Sequence, residues 1–308
     1  MDSTAPAPAA APEWERRFSL WSATSLEVAA SGGGRAAIVA SAGALRQLHA
    51  WDRATGDLRR LTDAPHGVTM AAISADGRLI FFVDDPAGSE LGWLARVPFD
   101  GGPPERFDAG LPAAEIWGIA TGPGGVAWTR IEDDRFVHRV LPADGPASRP
   151  SRILATDDAM GHVAAWSRDG STLVIARYRE DFRREVVLRD VATGDVVAEA
   201  RSPDGSIILN WQSSLPGDDR YLGHMDVDGR RRPIAWDATT GAIERLPDGD
   251  LAGDLRAIAL SPGGRRLALL QGHEAIAGLH LLDLVTGRLD RLGAPSGALG
   301  ATFSLATG

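Results

Sequence analysis

Two residue types are absent from this 308-residue chain: it has no Cys, and all 32 of its basic residues are Arg, so it has no Lys. Without Cys there is no disulfide, no thiolate metal ligand and no Cys nucleophile. Without Lys there is no Schiff-base amine and no Walker A lysine. Asn occurs once, at Asn210. Positive charge is also scarce, since 32 basic against 41 acidic residues leaves a net charge of −9. A general nucleic-acid binder presents a basic face, so no nucleic-acid partner is expected. The best apolar run, residues 36–45, falls far short of the roughly 20 residues that span a bilayer. Residues 1–12 form a Pro/Ala tail with neither the basic start nor the apolar block of a secretory leader. The expectation is a cytoplasmic chain with no membrane segment, a disordered tail over 1–12 and one domain over 13–308.

What the chain does have is apolar content and turns: 44% hydrophobic residues, 36 Gly and 19 Pro. That is enough to fill a core, which argues against disorder. The turns recur. Trp51-Asp52-Arg53-Ala54-Thr55-Gly56 is followed by shorter versions at Asp100-Gly101 and Asp144-Gly145. Asp190-Val191-Ala192-Thr193-Gly194, Asp237-Ala238-Thr239-Thr240-Gly241 and Asp283-Leu284-Val285-Thr286-Gly287 then repeat it, with Asp-to-Asp steps of 48, 44, 46, 47 and 46. A second series runs in phase, with Ser74-Ala75-Asp76-Gly77 and Ser167-Arg168-Asp169-Gly170 as its clearest members. Around each pair of turns lie four short apolar segments. Asp-Gly supplies the positive φ that tight hairpins need. Four short strands every 40–50 residues make one propeller blade. A β-sandwich lacks this regularity over a whole chain. The repeats predict an all-β propeller of six four-stranded blades, near 24–64, 68–109, 115–156, 162–202, 205–248 and 254–293. One strand-like piece remains at 300–305. It either completes the ring by pairing with the first blade or begins a seventh blade, leaving the ring incomplete.

The turn series resembles the propellers of TolB and of the prolyl oligopeptidase (S9) serine peptidases. Pro12-Glu13-Trp14-Glu15-Arg16-Arg17-Phe18 is similar to the opening of bacterial S9 peptidases. Leu48-His49-Ala50-Trp51-Asp52, Phe81-Phe82-Val83-Asp84-Asp85 and Arg96-Val97-Pro98-Phe99-Asp100-Gly101-Gly102 continue the likeness. In that family the propeller covers an α/β-hydrolase domain and restricts entry to small peptides. No Ser here lies in Gly-x-Ser-x-Gly, the nucleophile elbow of that hydrolase. The family's catalytic triad therefore maps onto no residue of this chain. The resemblance implies a non-catalytic, substrate-gating propeller whose partners are peptides or an α/β-hydrolase domain.

Other chemistry is thin. None of the seven His forms a His-Glu-x-x-His pair. Gly161-His162, Gly223-His224 and Gly272-His273 read as turn or blade-edge hydrogen-bonding groups. Asp226-Val227-Asp228-Gly229 begins like a calcium loop but lacks the later ligands. Acidic pairs such as Asp84-Asp85 and Asp218-Asp219 read as solvated turn carboxylates. No cofactor and no metal site are expected. The densest charged stretch, residues 177–185, joins two strands of the fourth blade, and Arg230-Arg231-Arg232 sits in the equivalent turn of the fifth. These two loops would share one face. Arg179, Phe182, Arg183, Arg184, Arg230 and Arg231 are accordingly the candidate peptide- or partner-binding residues. Two other functions stay open: a stand-alone TolB-like scaffold for proteins or peptides, and a metal-dependent, lactonase-like propeller hydrolase, which the single Asn disfavours.

Overall fold

The computed structural model describes residues 21–42, 45–203, 205–274 and 276–293. The tail at 1–12, the motif at 12–18 and the last strand-like piece at 300–305 lie outside them. Among the described residues there is no helix. Six sheets of four antiparallel strands follow one another, each a meander in chain order. Strands β1–β4 span residues 21–60, β5–β8 71–106, β9–β12 116–157, β13–β16 161–200, β17–β20 207–245 and β21–β24 254–292. These are the six expected blades, with limits shifted by a few residues.

The repeated turns are explained by backbone chemistry. At Asp190 the carboxylate Oδ1 accepts the Ala192 and Thr193 N–H groups at 2.9 and 2.8 Å, and the Gly194 N–H donates to the Asp190 carbonyl at 2.8 Å. Thr193 Oγ1 accepts the Asp195 N–H at 3.2 Å. The same bonds recur at Asp52, Asp237 and Asp283. Gly194 has φ +83°, and a Cβ there would lie 2.2 Å from the Leu154 carbonyl oxygen, so this turn requires glycine. The Ser-x-Asp-Gly turns work alike. Ser74 Oγ donates to Asp76 at 2.6 Å and accepts the Leu79 N–H at 3.0 Å. That hydroxyl, with backbone donors, pulls the Asp76 carboxyl down to about 2, and Ser167 does the same for Asp169.

The middle strands are buried on both faces and read as continuous apolar runs. In β6 (Leu79–Asp84) alternate residues serve different neighbours. Ile80 and Phe82 join a core with Val39, Leu48 and Ala50 of blade 1, whereas Phe81 and Val83 join one with Val126 and Trp128 of blade 3. Further cores link blades 3 and 4, 4 and 5, and 5 and 6. Each fully buried Phe or Leu contributes about 1.5–3 kcal/mol. Ala36, Ile38 and Ala40 of the first blade and Ala268 and Leu270 of the sixth are buried outside those five clusters. Among the described residues no helix is long and apolar enough to cross a membrane.

Candidate functional site

In a four-strand meander, the 1–2 and 3–4 hairpins lie at one end of the blade. The 2–3 hairpin and the link to the next blade lie at the other. The first end is the turn face here, carrying the repeated Ser and Asp turns; the second is the link face.

The innermost strands are β1 (Trp21–Val28), β5 (Ala71–Ile73), β9 (Ile116–Gly122), β13 (Gly161–Trp166), β17 (Ile207–Gln212) and β21 (Asp254–Leu260). Residues of all six surround a central cavity of about 610 Å³ towards the turn face. Five of these strands shift register by one residue, and the extra residues are Thr24, Gly118, Ala164, Asn210 and Ile258. Bulges of this kind re-aim side chains, and Ala164, Asn210 and Ile258 line the cavity. Its walls mix apolar side chains, Leu26, Ile119, Trp211 and Leu260 among them, with polar ones such as Thr121, Gln212 and Ser261. Glu27 is the only carboxylate among the lining residues, and Arg168 the only cation. Arg168 is paired with Asp219 at 3.1 Å. Glu27 is exposed to the open cavity, yet protein encloses it, and that desolvation pushes its carboxyl up to about 7. Water admitted by the cavity offsets part of this rise.

The candidate loops of blades 4 and 5 both lie on the link face, as their equivalent places require. Between β14 (Thr172–Tyr178) and β15 (Arg184–Asp190), Phe182 sits at φ +61° with 74% of its surface exposed. Asp181 pairs with Arg179 at 3.4 Å and with Arg183 at 3.5 Å. Arg184 stacks over the Tyr178 ring at 5.0 Å. Between β18 (Tyr221–Val227) and β19 (Arg230–Trp236), Asp228-Gly229 forms the turn. Arg231 pairs with Asp226 at 3.6 Å, while Arg230 has no ion-pair partner among the described residues. The equivalent hairpins of other blades carry exposed Leu45, Leu91 and Ile276. The charge on this face is uneven: Arg-rich at blades 4 and 5, acidic at Asp85, Glu90, Asp133 and Asp134 of blades 2 and 3.

A second cavity, of about 480 Å³, opens on the link face between blades 2, 3 and 4. Met70, Trp117, His162 and Tyr178 line it with Asp85, Glu90 and Glu115. Two of those acids are already engaged. Asp85 accepts four backbone N–H groups of residues 87–90, and Glu115 accepts the Trp117 Nε1–H. Burial, then Arg184, pushes His162 down to about 4. His224 is lowered to about 4 by burial and by Arg231 and Arg256. It stands in the second strand of its blade rather than at an edge, and its Nδ1 has no partner among the described residues.

Sequence reasoning also missed a relay of Thr129, His138, Asp157 and Arg189. Val163 N–H donates to Thr129 Oγ1 at 2.9 Å, and Thr129 Oγ1 lies 2.9 Å from His138 Nδ1. His138 Nε2 lies 3.1 Å from Asp157 Oδ2, and Arg189 donates to Oδ1. Burial opposes the charge on Asp157, but His138 and Arg189 outweigh it and hold the carboxyl low. The order resembles a nucleophile–base–acid triad. Thr129 and His138 are wholly buried, however, so it ties blade 3 to blade 4 and meets no substrate. Among the described residues no three His, Asp or Glu side chains gather as metal ligands.

No protein-family model matches the chain, and no curated protein matches it. Solved structures do. A prolyl endopeptidase aligns over 91% of this chain at TM-score 0.69 and 16% identity, and a puromycin hydrolase over 92% at 0.66 and 18%. The alignments cover 44% and 48% of those proteins, so the chain spans less than half the length of either. A putative TolB from Agrobacterium tumefaciens aligns over 82% of this chain and 90% of its own, at TM-score 0.58 and 18% identity. At such identities the likeness is one of fold, and it is the likeness to S9 peptidase and TolB propellers that the turn motifs led us to expect.

Proposed function

We propose that this chain is the non-catalytic propeller of a peptidase-type hydrolase, docking an α/β-hydrolase domain on its link face and gating peptide-sized substrates. The observation that carries this reading is the placing of Leu45, Leu91, Phe182 and Ile276. Four exposed apolar side chains stand at the hairpin tips of four blades on one face, whereas on the turn face Val285 is at a hairpin tip and Leu58, Ile153 and Val196 lie at the starts of outer strands. Apolar anchors ringed by charge are the usual composition of a protein interface. Arg179, Arg183, Arg184 and Arg230 on one sector and the acids of blades 2 and 3 on the adjoining sector would fix the partner's orientation. The likeness to a prolyl endopeptidase and a puromycin hydrolase supplies the partner class.

The test is to express the chain together with any α/β-hydrolase encoded beside or in continuation with it, and to measure complex formation and hydrolysis of blocked peptides. A complex weakened by Phe182→Asp with Ile276→Asp is expected. An intact complex in that double variant refutes the docking face. The near-complete overlap with a TolB protein favours a second reading, a stand-alone binding scaffold; a chain with no hydrolase partner that still captures peptides through the same face would select it.

A further inference from the structure

The axial cavity has features that the docking face does not use. Six strands enclose it, and its wall sets apolar side chains such as Leu26, Ile119, Trp211 and Leu260 beside polar ones such as Thr121, Asn210 and Gln212. An apolar surface with placed polar groups is what a small-molecule site offers. Glu27 has no hydrogen-bond or ion-pair partner among the described residues. Arg168, the only lining cation, is committed to Asp219 at 3.1 Å. The cavity thus holds one carboxylate with no counter-charge, enclosed by the ring of strands and open to the channel. Asn210, brought to the wall by the bulge in β17, offers a side-chain amide that makes no hydrogen bond among the described residues.

From this geometry we infer that the axial cavity is a binding site for a small organic monocation, an ammonium group on an apolar body, with Glu27 as its counter-ion. The body lies against Leu26, Ile119, Trp211, Ile258 and Leu260, and the Asn210 carbonyl accepts a second ammonium hydrogen. A divalent metal fits poorly, because calcium takes six to eight oxygen ligands and one carboxylate with one amide falls well short. An anion would meet Glu27 and find Arg168 occupied. The link-face cavity is the weaker candidate for such a cation, since Asp85 and Glu115 already accept hydrogen bonds there. This inference is independent of the docking face, which lies at the other end of the channel.

Calorimetric titration of the full chain with cyclohexylmethylamine and its neutral isostere cyclohexylmethanol tests it. The ammonium, like that of Lys, stays charged to about pH 10. Glu27 and Arg168 are the ionisable groups among the lining residues, so only Glu27 changes charge near pH 7. The amine should bind at least about tenfold more tightly than the alcohol above that transition. It should weaken as pH falls through the transition and Glu27 takes a proton. Glu27→Gln should bring amine and alcohol to equal affinity and abolish the pH dependence, whereas Glu90→Gln on the link face should change neither. Equal binding of amine and alcohol to the unaltered protein overturns the inference, whatever the variants do. So does an amine affinity unmoved by Glu27→Gln, one lost in Glu90→Gln, or no saturable binding.

Discussion

Replacing Thr129 by Val changes a hydroxyl to a methyl of nearly the same shape, so it opens no cavity. It removes the centre of a hydrogen-bond chain. The Thr129 oxygen accepts the Val163 N–H, and its proton goes to His138 Nδ1, which leaves the Nε2 proton to face Asp157. In the variant the Val163 N–H and His138 Nδ1 lose their partner at a site with 0% exposure for Thr129 and His138, where water does not replace it. An orphaned buried polar group costs about 1–3 kcal/mol, so the two together give about 2–6 kcal/mol. Thr172→Val is the control. Its hydroxyl meets Tyr221 Oη at 3.0 Å at a half-buried site, where water can take over, and the expected cost is about 1 kcal/mol or less. Equilibrium unfolding in urea, followed by tryptophan fluorescence, reads both. Trp166, whose Nε1–H donates to the Ala120 carbonyl across the boundary between blades 3 and 4, reports on the affected contact. If Thr129→Val costs no more than Thr172→Val, the relay is not an inter-blade tie and the accounting fails.

Glu27 and the buried histidines give stability opposite slopes with pH. The Glu27 carboxyl is raised to about 7 from its ordinary 4.5. The folded chain therefore holds a proton that the unfolded chain releases, and stability falls as pH rises between those values. Glu27→Gln should flatten that fall in a melting-temperature series, and an unchanged profile would refute the enclosure argument. His162 and His224 are lowered to about 4 from 6.5. Between these values the unfolded chain binds the extra protons, so stability should drop as pH falls through this window, and His224→Leu should lessen the drop. Gly56 and Gly194 hold equivalent turn positions with φ +77° and +83°, but only Gly194 has an atom, at 2.2 Å, in the path of a Cβ. Gly56→Ala should cost about 1–2 kcal/mol for the left-handed backbone, and Gly194→Ala clearly more; equal denaturation midpoints for the two would show that the Leu154 carbonyl yields freely. Phe182→Asp alone should leave the melting temperature unchanged, because a side chain 74% exposed contributes little to the folded core.

The blades were legible because their turns are local chemistry repeated. Asp52, Asp190, Asp237 and Asp283 each accept the N–H groups two and three residues on, so the motif and its geometry are the same object. Arg179, Phe182 and Arg230 were placed on one face for a related reason: equivalent hairpins of equivalent blades must share an end. Glu27 was not legible. It looks like any charge in a strand until the ring is built, and only then do strands from six blades, far apart in sequence, enclose it. Thr129, His138, Asp157 and Arg189 fail the same way, since no spacing records that the first strand of blade 4 lays Val163 N–H against blade 3.

The two faces also differ in how freely they can vary. On the turn face, Asp carboxylates and positive-φ glycines hold the backbone in blade after blade, and a side chain added at Gly194 strikes its neighbour. That face is committed to closing hairpins. The 2–3 hairpins on the link face are less uniform: blade 3 turns on Asp133-Asp134 and blade 5 on Asp228-Gly229, all at positive φ, while blade 4 extends to a loop tipped by Phe182. The two-residue turns select Asp and Gly for their left-handed backbone, whereas the longer blade 4 loop leaves Phe182 exposed at its tip. The same reasoning separates Glu27 from the turn acids. Asp76 and Asp169 are stabilised as anions by the turns they close, and fall to about 2. Glu27 closes no turn and is raised to about 7 by its surroundings. The turn acids are compensated by the backbone they hold, whereas Glu27 faces the axial cavity without such donors, which is the difference the proposed cation would exploit.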